Sequence, residues 1–166
     1  VINTIPNPVT STIPVGQYPY GICVSPDGGR IYVTCYSSNY VAIINAATNA
    51  VIATIDLPYT NGIAISPDGS KLYVTNEASG LLTVINTATY AIITKIIVGT
   101  YPFAVITSPD GSRVYVTDYV QNMAVIIDAA TNSVIAKVPV GNNPTGITIN
   151  PDGSKVYVAN AASNTT

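Results

Sequence analysis

Ser66-Pro67-Asp68-Gly69-Ser70-Lys71-Leu72-Tyr73-Val74-Thr75-Asn76 reads as a tight turn running straight into a short strand. Pro67 pre-sets φ at the second position of the turn, and Gly69 takes the left-handed conformation that closes it. The same string returns along the chain. Pro-Asp-Gly stands at Pro26-Asp27-Gly28, Pro67-Asp68-Gly69, Pro109-Asp110-Gly111 and Pro151-Asp152-Gly153, spaced 41, 42 and 42 residues apart. Tyr32, Tyr73, Tyr115 and Tyr157 keep that register, and so do Ala47-Thr48, Ala88-Thr89 and Ala130-Thr131. A fixed period of this length marks a chain built from one supersecondary unit repeated and stacked.

Within one copy the pattern predicts four short strands, at 21–25, 30–35, 40–45 and 50–56. They are apolar on both faces and so need cover on both sides. Sheets stacked radially on one another supply it, and four strands per period of about 40–50 residues point to a β-propeller. The expected fold is therefore all-β, a propeller of four blade repeats over 15–56, 57–97, 98–139 and 140–166. The last is completed by residues 1–14, because Val1-Ile2-Asn3 stands in the register of Ile43-Ile44-Asn45. Three closures remain open: a lone four-bladed ring, an eight-bladed homodimer made by blade completion, or one part of a longer propeller.

Tyr32-Val33-Thr34, Tyr73-Val74-Thr75-Asn76, Tyr115-Val116-Thr117 and Tyr157-Val158-Ala159-Asn160 resemble the YVTN repeat family. The preceding Ser-Pro-Asp-Gly and the following Val-Ile-Asn-x-Ala-Thr strings agree with it. The resemblance spans essentially the whole chain. It implies a propeller, often extracellular as in surface-layer proteins, and implies no enzyme. The chain departs from the motif at Cys35, Asp118 and Ala159.

Composition narrows the function further. Of the 166 residues 48% are hydrophobic and only 8% charged, against about 25% charged in an ordinary soluble protein. No apolar run approaches the roughly 20 residues of a membrane-spanning helix, so membrane insertion is not expected. The net charge of −2 offers no basic footprint for nucleic acid. Ser, Thr, Asn and twelve Tyr supply the polarity, and Asn164-Thr165-Thr166 is the one glycosylation sequon. These features suit a secreted or cell-surface protein.

With no histidine, the chain has no Ser-His-Asp or Cys-His arrangement and no imidazole metal site. No catalytic residue, metal or cofactor is assigned. Cys23 and Cys35 are expected to stay free, and Arg30, Lys71, Arg113 and Lys155 to stay solvated beside the turn aspartates. Two groups remain as candidates on the face carrying the inter-blade loops. Tyr18, Tyr59 and Tyr101 hold equivalent loop positions, Tyr20 and Phe103 a second one, with Tyr36 and Tyr119 alongside. Aromatic rings among amides and hydroxyls stack on sugars or anchor a protein loop. Cys35, Asn76, Glu77, Asp118 and Asn160 are expected at the mouth of a central channel. A Glu77–Asp118 pair is the only constellation that suggests glycan hydrolysis. The favoured reading is a non-enzymatic surface module whose partner is a protein or a glycan. The alternatives are a carbohydrate- or protein-binding propeller using the tyrosine-rich face and, behind it, a glycan-active enzyme.

Overall fold

A computed structural model describes residues 1, 2, 4 and 9–166. Among the described residues fourteen strands follow in chain order. The first sheet is β1 (Pro19–Val24), β2 (Arg30–Cys35), β3 (Tyr40–Asn45) and β4 (Ala50–Asp56). The second is β5 (Thr60–Ile65), β6 (Lys71–Asn76), β7 (Leu81–Asn86) and β8 (Ile92–Ile97). The third is β9 (Pro102–Thr107), β10 (Arg113–Asp118), β11 (Met123–Asp128) and β12 (Ser133–Pro139). The last, β13 (Pro144–Ile149) and β14 (Val156–Asn160), has two strands only. Every sheet is an antiparallel meander, and the strands lie within two residues of the positions read from the sequence.

The sheets stack through their inner strands. β1 packs on β5, β5 on β9 and β9 on β13. Tyr32, Val41, Ile43 and Leu57 meet Ile63, Leu72 and Val74 between the first two sheets. Tyr73, Leu82 and Val84 meet Val105, Val114 and Val125 between the next two. Each such side chain stabilises by about 1.5–3 kcal/mol when fully buried. Gly62 lets the inner strands approach, since a Cβ there would stand 2.6 Å from the Phe103 carbonyl oxygen.

The threonine of the first three repeats locks the stack. Thr75 Oγ1 accepts from Gly62 N at 2.8 Å in its own sheet and donates to the Phe103 carbonyl of the next at 2.9 Å. Thr34 does the same between Gly21 N (2.7 Å) and the Asn61 carbonyl (2.7 Å). Thr117 takes Ala104 N (3.0 Å) and the Thr145 carbonyl (3.3 Å). The turns add a second contact. Ser66 Oγ donates to Asp68, whose Oδ1 accepts from Ser70 N at 3.0 Å, and Gly69 sits at φ +74°. Arg30 and Lys71 are not left in solvent as expected. Arg30 donates to the Thr87 carbonyl at 3.2 Å, and Lys71 to the Ala129 carbonyl at 2.7 Å, each in the next sheet.

The arc stays open. Among the described residues no comparable packing joins β13 back to β1. Tyr32 and Tyr73 are 2% and 1% exposed, whereas their equivalent Tyr157 is 49% exposed because no sheet follows it. At the other end Ile22 and Val24 of β1 face solvent. Of the segment 1–14 expected to complete the last sheet, residues 3 and 5–8 lie outside the described residues. Among the described residues none of that segment pairs with β13 or β14; Ile13 and Val15 pack instead on Val33, Ala42 and Ile44 of the first sheet. Gln17 N donates to Ser38 Oγ at 2.8 Å, holding the segment there. The β14 edge meets only Thr165, bridged to Asn160.

Candidate functional site

The inter-sheet loops and the β2–β3, β6–β7 and β10–β11 connections share one face, opposite the Pro-Asp-Gly turns. There a cleft of about 330 Å³ is lined by Tyr18, Tyr20, Tyr36, Asn61, Glu77, Tyr101 and Phe103. Five of the seven aromatic residues singled out in the sequence meet here. The other two stand behind the wall. Tyr119 packs on Tyr101 and Phe103, with centroids 5.8 and 5.9 Å apart, and Tyr59 packs edge-on to Tyr36 at 6.3 Å. Tyr20 meets Phe103 edge to face at 5.7 Å and 87°, a favoured aromatic geometry.

Glu77 forms the floor. It is 8% exposed, and its carboxylate accepts from Tyr36 Oη at 2.7 Å and from Asn61 Nδ2. Donation to Glu77 pushes the Tyr36 phenol up from its ordinary value. The Tyr101 phenol is pushed up to about 12, by burial first and then by the same carboxylate. Both hydroxyls are therefore protonated at neutral pH. None of the chain's lysines or arginines lines the cleft. Among the described residues the one ion pair is Arg113–Asp128, at 3.0 Å on the turn side.

The expected channel-mouth set does not assemble. Cys35, Asn76, Asp118 and Asn160 occupy one repeat position and are all buried, at 0, 3, 0 and 7% exposure. They organise loops. Asp118 accepts four backbone amides, from Thr100 (2.6 Å), Tyr101 (3.3 Å), Val120 (3.1 Å) and Gln121 (3.0 Å). Asn76 donates to the Pro58 carbonyl at 2.9 Å and accepts from Thr83 Oγ1 at 2.6 Å. Asn160 donates to Thr165 Oγ1 at 3.2 Å. Cys35 lies in the apolar packing of the first sheet, where burial pushes its thiol up; Cys23 is also free and is pushed up to about 12 by burial.

Glu77 and Asp118 hold different repeat positions. Glu77 stands one residue further along its repeat, in the place of Tyr36 and Tyr119, and adjacent residues at a strand end diverge. Asn61 is the site residue that sequence reasoning passed over as a gap in the aromatic pattern. The signal lay in two departures in one repeat, Asn61 for an aromatic and Glu77 for a tyrosine. Larger grooves of about 560 and 540 Å³ lie between the turns. Their carboxylates serve their own turns, as Asp68 and Asp110 do, so those grooves carry less chemistry than the smaller cleft. Among the described residues no three His, Cys, Asp or Glu side chains come together to hold a metal ion. No helix there is long and apolar enough to cross a membrane.

No protein-family model and no curated protein matches the sequence. Solved structures do match. The chain is similar to Kuenenia stuttgartiensis hydrazine synthase, with TM-score 0.82 and 26% identity over 90% of this chain and 44% of that one. It is also similar to a functionally unknown protein from Desulfotomaculum acetoxidans DSM 771, with TM-score 0.85 and 24% identity over 93% of this chain and 53% of that one. The chain spans about half the length of these neighbours. With the radially stacked sheets, they establish a propeller-like all-β fold.

Proposed function

We propose that this chain is a non-enzymatic interaction module of a cell surface, an arc of a YVTN-type propeller that binds its partner through the aromatic cleft. The observation that carries the reading is the convergence of five rings, three from the first repeat and two from the third, around Glu77 of the second. A rigid stack holds them, so little conformational entropy is lost when a ligand settles. Stacking surfaces with amide and hydroxyl edges suit a glycan or a loop of another protein. The sparse charge and the resemblance to the YVTN repeat support an extracellular setting.

Two observations support a role without catalysis. The sequence has no histidine, and Asp118, the second acid that glycan hydrolysis would need, is committed to four backbone amides. The name of one structural neighbour carries no activity across, because the match covers 44% of that chain at 26% identity. The open apolar ends support completion of the arc by further sheets, either a second copy or more of the same propeller. Incubating the protein with soluble oligosaccharides and following reducing ends tests the central point. No turnover is expected; turnover abolished by Glu77→Gln would refute the reading.

A further inference from the structure

We infer that the cleft takes an alkylated ammonium group, held by the tyrosine faces and by the Glu77 carboxylate. The inference rests on the cleft being an interaction site, and it names the chemistry of the ligand. Glu77 is nine-tenths buried with no cationic partner, although a buried charge is costly unless paired. Neutral donors take up part of its lone pairs: Tyr36 Oη and Asn61 Nδ2 are bonded to it. They orient the carboxylate and bring it no counter-charge.

That arrangement discriminates between ligands. A neutral sugar would bring no counter-charge. A primary ammonium needs about three hydrogen-bond acceptors, whereas Tyr36 and Asn61 already occupy about half of the carboxylate's sites. An alkylated ammonium has few or no N–H groups to satisfy. It is attracted by the aromatic faces and by the field of the carboxylate without either having to accept a hydrogen bond. Tyr18, Tyr20, Tyr36, Tyr101 and Phe103 line the cleft around one acid, which is the composition such a group requires. The six lysines and arginines all lie elsewhere, so no resident cation competes for the place.

Calorimetric titration of the full chain with choline and with its neutral isostere 3,3-dimethyl-1-butanol tests the inference. Choline is expected to saturate and to bind about tenfold or more tightly than the isostere. Glu77→Gln should weaken choline by about tenfold while leaving the isostere unchanged. Tyr18→Ala, on an exposed loop, should weaken choline without touching the core. A hexapeptide carrying one ε-trimethyl-lysine separates the sources: peptide tighter than choline assigns a protein side chain, and the reverse a free small molecule. Equal binding of choline and isostere, or no saturation by choline or the peptide, overturns the inference. If neutral oligosaccharides bind in the cleft instead, the interaction site stands and only the cation is lost. If nothing in any class binds there, both readings fall together.

Discussion

Thr75 uses one hydroxyl twice, accepting from an amide of its own sheet and donating to a carbonyl of the next. Thr75→Ala removes the hydroxyl partner of both part-buried backbone groups. A loss of about 1–3 kcal/mol in denaturant unfolding is expected, and a loss under about 0.5 kcal/mol would show that the hydroxyl is dispensable. Ala159 fits the same logic from the other side. It replaces threonine in the repeat whose outer face is open, and it is exposed where Thr34, Thr75 and Thr117 are fully buried. Tyr18 and Tyr59 are held at φ 53° and 56°, a left-handed region that disfavours bulky side chains, whereas Asn143 fills the equivalent place at φ 52°. Tyr18→Asn is therefore expected to leave stability unchanged or raise it by up to about 1 kcal/mol, while weakening cleft binding; a stability loss would mean that the ring itself packs. Retaining a strained tyrosine where asparagine sits freely supports a functional demand for the ring. The aromatic members of the site were legible because each recurs at the repeat period. Asn61 was not, since its role comes from Glu77, sixteen residues on, and only the folded loops bring the two together.

At the level of elements, the Ser-Pro-Asp-Gly turns couple stability to acid. Asp68 and Asp110 are held at about 2, below the ordinary 3.8, chiefly by the hydroxyls of Ser66 and Ser108 and then by the amides of Ser70 and Ser112. A carboxyl whose folded value lies below its unfolded one stabilises fully above the unfolded value. The contribution disappears as pH falls from about 3.8 through about 2. Thermal melts across that range should fall more steeply for the parent chain than for Ser66→Ala/Ser108→Ala; equal slopes would contradict the turn assignment. These strands were legible almost to the residue because Gly and Pro punctuate each turn and β-branched runs fill the space between. The cation positions were misread for a physical reason. Arg30 and Lys71 look solvated along a strand, but stacking brings the carbonyls of Thr87 and Ala129 within their reach.

At the scale of the whole molecule, the repeated antiparallel sheets were legible and the closure was not. Register alone allowed residues 1–14 to complete the last sheet. Among the described residues of that segment, Ile13 and Val15 pack on the apolar face of the first sheet. Ile22, Val24 and Tyr157 are left at the two open ends. Light scattering on a size-exclusion column is expected to give a mass of two chains or more, above the 17.2 kDa of one. Ile22→Lys with Tyr157→Lys should return it to one chain; a parent that is already monomeric would mean that the ends need no cover. The partner-binding face is tested most directly by ring-resolved NMR of the intact chain, titrated with neutral oligosaccharides, peptides and choline. Shifts confined to Tyr18, Tyr20, Tyr36, Tyr101 and Phe103, with Tyr32 and Tyr73 unmoved, are the expected result. Shifts confined to the turn-side grooves, or none with any ligand class, would contradict it.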